Sequence, residues 1–125
     1  MINDSVIARQ IVHDQLLSQG LNMAFSEFCE YTSEWEFKLV GPAGVVMIRD
    51  HEIHYARLPT HNGRSLTKRL IKQELEPILN EYGFVTTKVT ANNREGNSFV
   101  KRLGFRKVDK QENINHYILE ESRYV

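Results

Sequence analysis

With a single cysteine, Cys29, in 125 residues, no internal disulfide can form. That excludes a disulfide-stapled secreted scaffold and fits a reducing compartment. Nothing near Cys29 supplies a base or a helix start that would lower its pKa, so it reads as a small buried hydrophobe. Charge of one sign is also missing, with 16 Lys and Arg against 16 Asp and Glu. Without an excess of positive charge there is no global field to draw the chain to nucleic acid or an anionic membrane surface. No apolar run approaches the length of a membrane span. The opening "MINDSVIARQIV" also lacks the basic start and uninterrupted apolar stretch of a signal peptide. A cytoplasmic location is the expectation. Repeats, linkers and low-complexity segments are absent, and 41% hydrophobic with 10% aromatic residues is ordinary globular composition. One domain spanning 1–125 is expected, long enough to bury a layered core without disulfides or metal.

Hydrophobic period gives the elements. Asn3, Asp4 and Ser5 offer caps before "VIARQIVHDQLLSQG", where Ala8, Val12 and Leu16 recur at helical spacing and Gly20 stops the helix. "NMAFSEFCEYTSE" predicts a shorter second helix. The period then drops to two: "WEFKLVG" puts Trp35, Phe37 and Leu39 on one face, "GPAG" turns into "VVMIRD", and "EIHYARL" alternates again. Three antiparallel strands in a meander are expected. "SLTKRLIKQELEPILNEYG" predicts the clearest helix, kinked or divided by Pro77. "FVTTKVTA" is a β-branched strand, "NREGNSFVKRLGF" a short helix, and "FRKVD" with "INHYILEE" a closing strand pair. The order is ααβββαβαββ, and the long helix between two strands implies a parallel crossover in a mixed sheet. Those two parallel strands are expected to splay where they face a ligand.

The join "LPTHNGRSLTKRL" ends a strand at Leu58 and starts a helix through Asn62, Gly63, Arg64 and Ser65. Unsatisfied N–H groups, the helix dipole and basic side chains suit such a start to phosphate. Equally, Ser65 can simply cap a surface helix. A second polar entrance, Asn92 to Glu95, follows the other strand of the crossover. Both belong at the C-terminal ends of parallel strands, where open α/β sheets bind ligands. His51-x-x-His54 does not make a metal site, because residues three apart on a strand face opposite sides and no third ligand is evident.

These residues carry a resemblance. "NREGNSFVKRLGF" resembles the late motif of the GNAT acyltransferase superfamily, with Asn93, Gly96, Phe99, Leu103, Gly104 and Phe105 on its positions. "LPTHNGRSLTKRL" is similar to the coenzyme A pyrophosphate loop of that family, Gly63 and Arg64 matching a common variant. The likeness covers roughly Trp35 to Leu119. It implies an α/β (α+β) GNAT-like fold, a mixed antiparallel and parallel sheet flanked by helices, with the first strand absent or very short.

The resemblance further implies acyl transfer from acetyl-CoA or another acyl-CoA to an amine by direct attack, with no metal. It places the cofactor at Leu58, Asn62, Gly63, Arg64, Ser65, Leu66, Thr67 and Asn93. Three departures weigh on it. Asn62 replaces the usual Arg or Gln, while Ser65 and Thr67 stand where Gly or Ala is common. Val100 occupies the place of the tyrosine that protonates the leaving thiolate, and a valine has no proton to give. His54, Tyr55, His116 and Tyr117 are the nearest substitutes, each with a structural alternative as a packed strand residue. Phe25, Phe28, Tyr31, Trp35 and Phe37 suit an acceptor pocket or a core equally well. Two function classes follow. One is an N-acyltransferase for a small-molecule or protein amine. The other is a catalytically inactive GNAT-fold binding or assembly protein with a protein partner. Because small divergent members occur in phages, that second class would be met in host cytoplasm or in a virion.

Overall fold

The first helix, α1 (Asp4–Ser18), stops because Gly20 adopts φ +103, a left-handed conformation that costs glycine nothing. Its N–H reaches Leu17 O at 3.1 Å and that of Leu21 reaches back to Leu16 O at 2.9 Å, so the last carbonyls are satisfied by a Schellman turn. The sequence's helical period and its stop are therefore one device. A computed structural model describes residues 4–40, 44–57 and 68–120. The further elements are α2 (Phe25–Tyr31), β1 (Glu36–Val40), β2 (Gly44–Arg49), β3 (Glu52–Arg57), α3 (Lys68–Tyr82), β4 (Phe84–Thr90), α4 (Arg94–Arg102), β5 (Arg106–Gln111) and β6 (Ile114–Glu120). This is the expected order, and among the described residues no strand precedes α1. The strands form one six-stranded mixed sheet, ordered β1-β2-β3-β4-β6-β5. No helix among the described residues is long and apolar enough to cross a membrane.

The chain divides into two compact units, Met1–Arg49 with Tyr55–Ile71, and Asp50–His54 with Lys72–Val125. In the first, α1 and α2 cover the β1–β2 hairpin, whose antiparallel register runs from Glu36 opposite Ile48 to Val40 opposite Gly44. Ala8, Val12, Phe28, Phe37 and Val45 make its core, with Ile11, Leu16, Met23, Phe25, Trp35 and Met47 packed around them. Four of the five aromatics offered above as pocket lining are thus core or its rim. The fifth, Tyr31, is 80% exposed. His13 is buried between Phe25 and Phe28, and because its Nε2 lies 2.7 Å from the Met23 carbonyl, the proton sits on Nε2. Leu39, on the face of Phe37 by period two, is 36% exposed while its neighbour Val40 is buried. β1 is an edge strand, and period two alone does not say how far along it the covering layer extends.

Arg9 ties this unit together. Its guanidinium donates to Thr32 O at 3.1 Å, to Thr32 Oγ1, and to Trp35 O at 2.9 Å, and its Cζ sits 4.3 Å from the centre of the Phe37 ring. One cation therefore satisfies the exposed carbonyls of the α2–β1 turn while covering a core aromatic.

In the second unit β4 pairs antiparallel with β6 over its whole length, from Phe84 opposite Glu120 to Thr90 opposite Ile114. Val85, Thr87, Tyr117 and Leu119 face inward and are buried. α3 is a single helix that runs through Pro77, rather than two pieces. Proline removes only one donor, and Leu75, Ile78 and Leu79 are buried along one stripe, so packing on either side of Pro77 keeps the helix continuous. β5 is the far edge strand, exposed throughout. Its charges and its bulge between Lys107 and Asp109 are what keep such an edge from pairing with another chain.

Candidate active site

β3 and β4 lie parallel, with Glu52 opposite Thr86 and the Thr86 N–H donating to His51 O at 2.7 Å. A side chain adds a further link between the two strands. The buried Thr87 Oγ1 donates to Ile53 O at 2.6 Å.

Beyond Thr90 the chain turns into α4. Asn93 is its N-cap, and its Oδ1 accepts from the Gly96 N–H at 3.0 Å, satisfying one orphan donor of the first turn. Gly96 is required for this geometry. A Cβ there would lie 2.6 Å from Asn93 Nδ2, 2.9 Å from Asn93 Cγ and 3.0 Å from Val89 Cγ1. One turn on, Asn97 Nδ2 donates to Thr90 O at 2.9 Å and to Asn93 O at 2.7 Å. Its Oδ1 accepts from Asn115 Nδ2 at 3.0 Å and from the Tyr117 hydroxyl at 2.5 Å. The helix ends where the Leu-Gly-Phe motif says it should. Gly104 has φ +106, its N–H reaches Lys101 O at 3.0 Å, and the Phe105 N–H reaches Val100 O at 3.1 Å. Val100 and Phe105, the pair that a Schellman turn usually brings together, are both buried.

On β6 the side chains alternate. Asn115, Tyr117 and Leu119 are buried, and His116 and Ile118 are half-buried on the other face. That second face holds a polar group. Glu52 Oε2 lies 2.5 Å from His54 Nε2, so the ring N–H donates to the carboxylate, and 3.9 Å from Lys88 Nζ. Lys88 in turn is the cross-strand partner of His116. A carboxylate that holds an imidazole N–H fixes its tautomer and its direction, which is the arrangement a proton-accepting histidine needs.

Of the residues singled out in the sequence, Leu58, Asn62, Gly63, Arg64, Ser65, Leu66 and Thr67 lie outside the described residues. Asn93 is the α4 cap. His54 comes together with Glu52 and Lys88, Tyr55 is half-buried on β3, and His116 neighbours Lys88. Tyr117 is 1% exposed with its hydroxyl engaged by Asn97, which is a structural placement. His51, weighed above as a metal ligand, bonds Thr86 Oγ1 at 2.9 Å and packs against Tyr82 and Phe84. Sequence reasoning missed Glu52, Lys88 and Asn97. Period two on β3 already puts Glu52 and His54 on one face. Lys88 needed the strand register, and nothing local marks Asn97.

No protein-family model matches the sequence, and no curated protein does either. Solved structures do match in fold. The spermidine N-acetyltransferase of Vibrio cholerae in complex with CoA and spermine is similar with a TM-score of 0.75 at 12% identity, over 99% of this chain and 94% of that one. The dodecameric form of the Vibrio cholerae enzyme in an intermediate state gives 0.74 at 12% identity, over 96% and 92%. A point mutant of the enzyme gives 0.76 at 13%, over 96% and 94%. At such identities the likeness is one of fold, and the fold of this chain is that of the spermidine N-acetyltransferases, the GNAT fold.

Proposed function

We propose that the chain is an acyl-CoA-dependent N-acyltransferase acting on an amine. The observation that carries this reading is α4. Its Asn93 cap, its glycine-permitted first turn and its Leu-Gly-Phe stop are all formed after the strand parallel to β3, on a fold similar to that of an N-acetyltransferase crystallised with CoA and spermine. A small-molecule amine is the favoured acceptor because spermine is what that neighbour holds.

The residues in view fit a coenzyme A thioester at one point: Gly96 leaves room for the Asn93 carboxamide to fold over the first turn of α4. When bound, acyl-CoA supplies an activated carbonyl. Leu58 and the Asn62 to Thr67 loop are assigned to the pantetheine and pyrophosphate, and Asn93 to the pantetheine arm. Amide formation breaks the C–S bond and requires the attacking amine to lose a proton. His54, oriented by Glu52, is assigned to take it. Val100 has no proton for the departing thiolate and Tyr117 commits its own to Asn97, so in this reading water supplies that proton.

A second reading, a catalytically silent GNAT-fold binding or assembly protein, is favoured by the buried Val100. The structural neighbours are bacterial enzymes and lend no support to the phage origin it was linked with. Calorimetric titration with acetyl-CoA separates the two. Micromolar binding is expected, and no heat at millimolar ligand overturns the enzyme reading. Ser65→Glu then weakens binding strongly, because a carboxylate is placed against pyrophosphate at a helix start. An unchanged affinity refutes the loop assignment.

A further inference from the structure

We infer that Asn97 is the positioning residue of the α4 entrance, fixing where Asn93 is presented; its consequence for the cofactor rests on the acyl-CoA reading above. A primary carboxamide offers two N–H donors and a carbonyl oxygen that accepts twice. All of this capacity is used, and the two halves point different ways. The nitrogen grips main-chain carbonyls, Thr90 at the end of β4 and Asn93 at the cap itself. The oxygen is gripped by Asn115 and Tyr117, both buried on β6. Asn97 thus links the well-packed β6 side chains to the cap residue.

The choice of residue argues for a purpose beyond packing. Asn97 lies in line with Val100 and Leu103 on the inner face of α4, both buried, where an apolar side chain would extend the same stripe. Asparagine inside a helix is unfavourable in itself, because its side chain competes for the main chain. Its network also leaves Asn115 Oδ1 buried without a partner among the described residues, a further cost that an apolar Asn97 replacement with an apolar position 115 would avoid. The main-chain N–H of residue 97 also bonds Asn93 O at 3.0 Å and survives substitution by leucine; what the asparagine side chain adds is a second bond to that carbonyl together with its link to β6. The Gly96 contact makes that second bond matter, since the Asn93 carboxamide has Gly96 on one side and its own carbonyl tethered on the other.

The test joins amide hydrogen exchange to acetyl-CoA titration, on wild type and Asn97→Leu, which keeps a side chain of packing size. Loss of the two tethers, each worth about the usual net hydrogen bond, is expected to speed Gly96 exchange and weaken acetyl-CoA binding by roughly tenfold each, with exchange at Val85 on β4 unchanged. Should Asn97→Leu fail to fold, Asn97→Asp decides. It keeps both acceptor bonds to β6 and loses both donors to the α4 entrance, so Gly96 exchange must still rise. Unchanged Gly96 exchange in a folded variant overturns the positioning role. Faster exchange with unchanged affinity overturns its link to the cofactor. Absence of acetyl-CoA binding by the wild type refutes the acyl-CoA reading alone, and Gly96 exchange then still decides whether Asn97 positions Asn93.

Discussion

The two compact units solve the same problem, anchoring helix to strand, with opposite chemistry. In the first, a cation lies over an aromatic core: Arg9 covers Phe37 and donates outward to the Thr32–Trp35 turn. In the second, neutral carboxamides and a phenol do the joining, Asn97 to Asn115, Tyr117, Thr90 and Asn93. A guanidinium is tolerant, since it is always charged and fits several acceptors at once. A carboxamide network is exacting, since each group has one correct direction. The exacting arrangement is found where the fold presents Asn93, and the polar face with Glu52, His54 and Lys88 belongs to that unit too. Stability and chemistry are therefore expected to respond to different substitutions.

The sharpest way to break that contrast is His54→Ala. If His54 takes the proton of the amine, acyl transfer falls by at least about a hundredfold, the lower end for a general base, with little change in melting temperature. Glu52→Gln falls less, because the imidazole remains and loses only its holder. A His54→Ala enzyme with wild-type kcat removes this face from the chemistry.

Next comes the opposite case. Arg9→Ala strips three charge-assisted bonds and a ring contact, and is expected to cost about 3 kcal/mol. That corresponds to a melting temperature lower by about 10 °C for a chain of this size. Acetyl-CoA affinity of the folded fraction is expected to stay within twofold or so, a change of well under 1.4 kcal/mol. Arg9→Lys restores less than half of the loss, because an ammonium cannot span the same acceptors. Calorimetric melts and titrations on the three proteins suffice. An Arg9→Ala variant that melts like wild type shows that the clamp is a surface decoration.

Smaller again is Tyr117→Phe, which deletes one hydroxyl and leaves Asn97 Oδ1 still bonded to Asn115. About 1 kcal/mol is expected in urea unfolding, the net worth of a single hydrogen bond. A loss above about 3 kcal/mol would mean that the network is more cooperative than its separate bonds.

What the sequence made legible was local. The order of elements, the stop at Gly20, the Asn93 cap and the Leu103-Gly104-Phe105 ending each depend on residues within a turn or two of one another. Pro77 does not divide α3, because buried neighbours lie on both sides of it. Leu39 shares its face with buried Phe37 yet is exposed, because the period tells which face a residue shares but not where the cover ends. Arg9 reaches residues 23 and 26 positions away, and Asn97 reaches 18 and 20. Contacts at that separation leave no spacing to read. The Glu52–His54 pair is within reach of period two, which puts both side chains on one face of β3.

The mildest prediction concerns Tyr82, which belongs to the chemistry-bearing unit yet is tied to nothing in the α4 network. Its hydroxyl donates to Asp50 Oδ1 over a long 3.4 Å. Desolvation first, then the charges of Glu81 and Asp50, push its phenol above the usual 10.0. The folded chain thus holds this proton more tightly than the unfolded chain does. Whatever the contact contributes is fully present below pH 10 and is lost as pH rises through the raised value, when the unfolded state ionises first. Denaturant midpoints measured from about pH 8 to about pH 11 should therefore fall less steeply at the alkaline end in Tyr82→Phe than in wild type. Parallel curves would mean that the phenol titrates alike in both states. In that case the alkaline limit of this unit is set by other groups.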